Sequence, residues 1–222
     1  LKVHSSNFRI SGFTHTPTLA ELTALGARHG IPVLHDIGSG CLIDTAVFGL
    51  GHEPTPQESV SSGVSLTFFS GDKMLGGPQA GIIVGNSEMI NKLKKHPMAR
   101  AMRIDKLSLA ALTATLLHYL KGEALGKVPV WQMVSVTSDV LKERALEWQA
   151  WVKSDSHAVA GRSTVGGGSL PGETLPTWLL SLASTATYGP EELASRLRHQ
   201  IPSVMARIED DRVVLDPRTV LP

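Results

Sequence analysis

Cysteine is almost absent: Cys41 is the only one in 222 residues. That excludes an internal disulfide framework and any zinc ribbon built on cysteine pairs, and it points to a reducing, cytoplasmic setting. An excess of one charge is missing too. Lys and Arg number 21 against 20 Asp and Glu, a net charge of +1, so no broad basic field advertises a nucleic-acid backbone or an anionic membrane. No apolar run approaches the ~18–20 residues that cross a bilayer, and no charged segment leads into an apolar one as in a secretory signal. The 9 histidines form no HExxH pattern and no Cys/His ligand spacing, so no metal site is expected. What remains is a globular balance, 42% hydrophobic and 18% charged, at a length of one to one and a half domains of roughly 150 residues. The chain opens on Leu1-Lys2-Val3-His4 instead of a methionine, as a piece of something longer would.

Short apolar runs alternate with amphipathic stretches over the first ~120 residues, the pattern of βα units around a mostly parallel sheet. Thr18 with Glu21 forms a capping box for a helix through Leu19, Leu22, Leu25 and His29, closed by Gly30. A buried strand is expected over Ile31–His35, ending at Asp36 and a Gly38-Ser39-Gly40 turn. A short helix near Gln57–Ser61 follows, then a strand over Val64–Phe69 that ends at Ser70-Gly71-Asp72-Lys73. The next strand, Ala80–Gly85, begins too soon after Lys73 for a crossover helix, so an antiparallel pair or a compact loop is expected. Ser87 and Asp105 are read as caps of two further helices, the second running from Lys106 to about Leu120 and apolar over much of its circumference. Beyond Gly122 the character changes. A long helix over 130–152, a Gly/Ser loop, a strand near Trp178–Leu182, a helix over Pro190–His199 and a hairpin across Asp210-Asp211 suggest a small α+β domain packed by Trp131, Trp148, Trp151 and Trp178. The boundary is placed at residue 121, giving domains 1–120 and 121–222.

Asp36 and Lys73 stand out chemically. In open α/β sheets, ligands sit at the carboxyl ends of the strands, and both residues follow buried strands in glycine-rich loops. Each alone is as well explained by a turn cap or a solvated loop residue. Together they would suit covalent chemistry. Burial favours the neutral amine of a lysine, which condenses with an aldehyde, and a nearby carboxylate suits a protonated ring nitrogen. Ser70 could offer a hydroxyl to a phosphate. A basic stretch, Lys92, Lys94, Lys95, Arg100, Arg103 and Lys106, reads either as a solvated face or, for the two arginines among Ala99, Ala101 and Met102, as a bidentate grip on an oxyanion. Gly166-Gly167-Gly168-Ser169 lacks the strand–helix context of a phosphate cradle and is expected to be a turn.

The run Ser70-Gly71-Asp72-Lys73-Met74-Leu75-Gly76-Gly77-Pro78-Gln79-Ala80-Gly81 resembles the cofactor-lysine segment of the bacterial selenocysteine synthases, the L-seryl-tRNA(Sec) selenium transferases. Val3-His4-Ser5-Ser6-Asn7-Phe8-Arg9-Ile10, Asp36-Ile37-Gly38-Ser39-Gly40 and the stretch from Lys94 to Lys106 match in the same order. The likeness is dense over residues 2–120, looser at 166–171 and faint between. It implies an α/β fold: the C-terminal half of a fold-type I pyridoxal phosphate large domain, followed by a small α+β domain. It also implies that Lys73 holds pyridoxal 5'-phosphate as an internal aldimine and acts as the catalytic base. Asp36 would pair with the ring nitrogen, Ser70 with the phosphate, and His4 and Asn7 would lie around the ring. Arg100 and Arg103 would bind selenophosphate.

The implied reaction converts seryl-tRNA(Sec) to selenocysteinyl-tRNA(Sec) through an aminoacrylate, in a cytoplasmic homo-oligomer built from dimers, with no membrane partner. The family carries its phosphate-cradling residues upstream of the point where this chain begins, so the chain by itself is expected to be an inactive fragment with a sheet edge open to association. Two other readings stay open from the residues: a related pyridoxal phosphate lyase acting on a small amino acid or sugar acid, and a non-catalytic assembly or tRNA-docking module.

Overall fold

A computed structural model describes residues 1–10, 12–152, 155–184 and 187–221. The chain forms two compact units, Leu1–Gln132 with Val165–Glu173, and Met133–Thr164 with Thr174–Pro222. Among the described residues, no helix is long and apolar enough to cross a membrane.

The first unit begins with β1 (Lys2–Val3), α1 (Leu19–His29) and β2 (Leu34–Gly38). The Thr18–Glu21 capping box forms, and Gly30 closes α1 in the left-handed conformation, as the sequence dictates. β2 starts later than its apolar run because Pro32 has no N–H to give to a ladder; the run enters through a single bond from Ser65 N to Val33 O, 2.7 Å. Next come α2 (Pro56–Ser61), β3 (Leu66–Ser70) and β4 (Gly81–Gly85). The sheet order is β1-β2-β3-β4. The first three strands are parallel, and β3 pairs antiparallel with β4, Phe68 opposite Ile83. The compact connection after Lys73 therefore returns the chain directly to its own strand's edge.

Four helices complete this stretch: α3 (Ser87–Lys95), α4 (Pro97–Ala101), α5 (Lys106–Leu120) and α6 (Ala124–Lys127). Asn86, and not Ser87, caps α3, its Oδ1 accepting from Glu88 and Met89 N–H at 2.9 and 3.2 Å. Asp105 caps α5 as expected. The apolar character of α5 does not translate into burial all round: Leu112 is buried, whereas Leu107 and Leu120 are more than four-fifths exposed at 84% and 83%. Its apolar circumference is wider than the surface its described neighbours cover.

The single long helix expected over 130–152 is two helices, α7 (Pro129–Ser135) and α8 (Ser138–Trp151). Thr137 is extended between them, with φ -77° and ψ 155°, so the ladder of backbone bonds is interrupted although the apolar spacing runs on. The two units meet in sequence within α7. Trp131, expected to pack the C-terminal domain, belongs to the first unit, where it is fully buried and its ring lies 5.9 Å from that of Phe48.

The second unit carries α8, then β5 (Ser156–Thr164), β6 (Thr174–Leu182), α9 (Pro190–Arg198), β7 (Arg207–Glu209) and β8 (Arg212–Leu215). Its sheet runs β5-β6-β8-β7, antiparallel throughout. The β7–β8 hairpin turns on Asp210 and Asp211, both left-handed (φ 48° and 59°), the pair of positive φ values that a type I′ turn requires. Leu180, Leu182, Ala194 and Val213 form the core, with Trp148, Leu193 and Leu197 packed against it.

A buried arginine pins this unit together. The Arg218 guanidinium, 5% exposed, donates to Ser163 Oγ (3.0 Å), Met133 O (2.7 Å) and Pro176 O (2.7 Å). Asp216 accepts from Ser163 and Thr177 hydroxyls at 2.5 and 2.9 Å. Arg218→Met leaves carbonyls from separate segments without a donor, and a loss of about 3 kcal/mol or more is expected. Urea unfolding of the variant followed by tryptophan fluorescence checks this; a change below about 1 kcal/mol, ordinary for a surface substitution, would contradict it.

Candidate active site

Lys73 reaches its place through backbone geometry. β2 and β3 are parallel neighbours, so their carboxyl ends fall on the same side of the sheet, and the turns that follow them meet. Met74 N donates to Ser39 O at 2.9 Å, tying the turn after β3 to the turn after β2. The loop from Gly71 to Ala80 is closed on itself by Gly71 N to Ala80 O and Gly77 N to Gly71 O, both 2.8 Å. Two glycines are demanded here. At Gly40 (φ 65°) a Cβ would come within 2.4 Å of Ser70 O, and at Gly76 (φ 74°) within 2.3 Å of Val128 Cγ1. No side chain fits either contact.

The same loop is held from beneath by side chains that the sequence did not single out. Tyr119 Oη donates to Leu75 O at 2.8 Å and accepts from Trp131 Nε1 at 2.5 Å. Burial pushes the Tyr119 phenol up to about 12, so it remains a donor throughout the working range of pH. The position of Tyr119 in the last turn of α5 offered no clue to this task; a buried Trp and Tyr whose polar atoms need partners is the only signal available.

Lys73 is half-buried and lies between two glycine turns of the first unit. Its Nζ is 3.8 Å from where a Cβ on Gly38 would stand, and its Cε only 3.0 Å from the corresponding point on Gly168. Gly38 (φ 68°) and Gly168 (φ 83°) are both left-handed, and a Cβ on Gly38 would also come within 2.9 Å of Ser6 Oγ, so the backbone at both turns favours glycine. Asp36 sits two residues before Gly38 and accepts the Gly38 N–H through Oδ1 at 3.0 Å. Strand alternation places His35 and Ile37 in the core and leaves Asp36 on the opposite face. The amine and the carboxylate thus converge on one turn. The 166–169 segment, expected to be a turn, is one, and it also walls the lysine stem.

The other residues singled out in the sequence fall as follows. Asp36 and Ser70 share an open groove of about 610 Å³ with His96, Met98 and Met102. Asn7 is exposed, but its Oδ1 approaches the same point of Gly168 at 3.3 Å as the Lys73 stem does. His4 follows β1, and its backbone N–H donates to Asp36 O at 2.7 Å. Arg100 lies in the last turn of α4 and Arg103 beyond the helix end, both exposed. The apolar neighbours do not enclose them, since Met98 and Met102 are themselves 55% and 75% exposed. Lys73, Asp36 and His4 are therefore brought together at the end of β2 and Asn7 beside the Lys73 stem at Gly168, while neither arginine is among the residues that line the groove.

Behind the strand, His35 is buried with Nδ1 2.9 Å from Ser59 Oγ. Desolvation, with smaller repulsion from Lys2 and His4, pushes its imidazole down to about 4. An unfolded chain protonates this ring near pH 6.5, so the stability it contributes is complete above that pH and is lost as pH falls toward 4. His35→Asn is expected to flatten the decline between pH 7 and pH 5 by about 2 kcal/mol. Urea melts at the two pH values check this, and equal slopes in both proteins would refute it.

Comparison with known proteins fits this arrangement. The family model described as "SelA: L-seryl-tRNA selenium transferase" matches residues 1–221. The L-seryl-tRNA(Sec) selenium transferase of Alkaliphilus oremlandii (strain OhILAs) is 47% identical over 228 aligned residues, covering 100% of this chain and 49% of that protein. The one from Carboxydothermus hydrogenoformans is 43% identical, with 100% and 48% covered. The chain thus spans about half the length of the curated relatives it matches. Among solved structures, D-glucosaminate-6-phosphate ammonia-lyase superposes with a TM-score of 0.59 at 20% identity, over 99% of this chain and 52% of that one, a likeness of fold.

Proposed function

Because the chain belongs to the L-seryl-tRNA selenium transferase family, we propose that the Lys73–Asp36 crevice is its share of a pyridoxal phosphate site. The whole protein then converts seryl-tRNA(Sec) to selenocysteinyl-tRNA(Sec) with selenophosphate as the selenium source. The observation that carries this reading is the convergence of the Lys73 amine and the Asp36 carboxylate on the Gly38 turn. The residues present suit the cofactor implied by the sequence resemblance. There is an amine for its aldehyde, a carboxylate for its ring nitrogen, the Ser70 hydroxyl for its phosphate, and His4 and Asn7 beside them. Gly38 and Gly168 keep clear the space that a Cβ would take.

When bound, pyridoxal phosphate supplies an electron sink for the charge left on the substrate's α-carbon. This chain's own residues have separate tasks. Asp36 holds a proton at the ring nitrogen, its Oδ1 already oriented by the Gly38 N–H. Lys73 Nζ, on a stem confined between two glycine turns, takes the serine α-proton. Arg100 and Arg103 grip the oxygens of selenophosphate. In the same reading, residues 1–120 supply the second half of the cofactor-binding domain and 121–222 the small C-terminal domain. Assembly from dimers and a cytoplasmic location, where charged tRNA is found, complete it.

Borohydride reduction of the intact protein with pyridoxal phosphate, followed by peptide mapping, tests the assignment. Lys73 is expected to carry the stable adduct in about tenfold excess over the exposed Lys92, Lys94 and Lys95; equal labelling of all four would overturn it. In the intact protein, Arg100→Ala or Arg103→Ala is expected to raise the KM for selenophosphate about 10- to 100-fold, the worth of a hydrogen bond to a charged group. An unchanged KM would remove the arginines from the selenium-donor site.

A further inference from the structure

Glu53 belongs to no motif discussed so far, yet it is one of the most deeply buried charged residues among those described, 2% exposed. Its backbone is fixed by a small knot: Thr45 Oγ1 donates to Gly51 O at 2.6 Å and accepts from Glu53 N at 3.0 Å. Gly51 N donates in turn to Glu173 Oε2 at 3.1 Å. The carboxylate is thereby delivered to the end of β1, where Oε1 lies 3.4 Å from Nε2 of His4. The separation is within ion-pair range, and both atoms are buried without any other hydrogen-bond partner among the described residues.

Two buried polar atoms facing each other are costly unless a proton lies between them. A carboxylate oxygen is an acceptor only, and a bare imidazole nitrogen is an acceptor too. With the lone pair at Nε2 the two would repel; with the proton there they attract. No other described donor reaches Oε1. We infer that Glu53 is a positioning residue for His4: its Oε1 faces the Nε2 proton and, in the uncharged ring, selects the tautomer whose free lone pair is on Nδ1.

The placement has a consequence for the crevice. His4 is bound through its own N–H to Asp36 O, so the orientation of its ring is set from two sides, by β2 along the backbone and by Glu53 at the ring. The functional weight of that orientation rests on the reading proposed above, in which His4 is one of the residues around the cofactor ring. The tautomer itself does not depend on it.

The test is 15N NMR of the full chain labelled at histidine, at about pH 8, where an ordinary imidazole is neutral, with the His4 signals assigned from His4→Gln. In the parent chain, Nε2 is expected to resonate as the proton-bearing nitrogen and Nδ1 as the bare one. Glu53→Gln, which keeps a carbonyl acceptor, retains this pattern; Glu53→Met loses it and gives a mixture of tautomers. A proton on Nδ1 in the parent chain, or an unchanged pattern in Glu53→Met, would overturn the inference. If Glu53→Met does not fold, the parent chain and Glu53→Gln still decide the matter. A tautomer that follows residue 53 while borohydride labelling misses Lys73 upholds the positioning role and discards the cofactor reading.

Discussion

One backbone hydrogen bond, from Met74 N to Ser39 O, sets the geometry on which the site depends. It joins the turns that leave two adjacent parallel strands. Parallel pairing alone puts the ends of β2 and β3 on the same side of the sheet, but it leaves the following loops free. The bond removes that freedom. With Gly40 pressed against Ser70 O and Gly76 against Val128, the loop has one way to pack, and that way carries the Lys73 amine to the Gly38 turn, where Asp36 is already held. The close approach is made by main chain, so side-chain variation elsewhere cannot easily alter it.

The site is supported from several directions by groups that do no chemistry. Tyr119 and Trp131 hold Leu75 from below, Gly168 walls the lysine stem, and Glu53 faces the ring of His4. Precision of this kind is what a reacting amine needs, since a misplacement of about an ångström is costly in rate. The surface around it is different. Arg100, Arg103, Met98 and Met102 are exposed, as are Leu107 and Leu120 of α5, in a chain that spans about half the length of its curated relatives. The interior of the crevice is thus set by this chain's own contacts, and the surface around it is the part they leave open.

Much of this could be read in the sequence, for identifiable reasons. The α1 capping box, the Asp105 cap, the antiparallel return after Lys73 and the Asp210-Asp211 turn all depend on local stereochemistry, which residue types declare directly. The placement of Lys73 just past a strand end was legible because buried β-runs are short and their ends abrupt, whereas Asp36, expected to follow its strand, is the central residue of β2 because the strand starts later and runs on to Gly38. What escaped depends on partners distant in sequence. β5 has a weak apolar pattern, and Gly161 within it lies under Leu179, whose Cδ1 would be 2.5 Å from a Cβ there, so its strand character comes from β6. The break at Thr137 is hidden because apolar spacing continues across it. Glu53, Tyr119 and Arg218 look like ordinary surface-type residues until the fold buries them.

The most direct measurement is a crystal structure of the intact protein with pyridoxal phosphate. The account predicts a covalent link at Lys73 Nζ and the ring nitrogen hydrogen-bonded to the Asp36 carboxylate, with Gly38 and Gly168 flanking the lysine as they do here. A cofactor bound through another lysine, or one whose ring nitrogen faces away from Asp36, would contradict it.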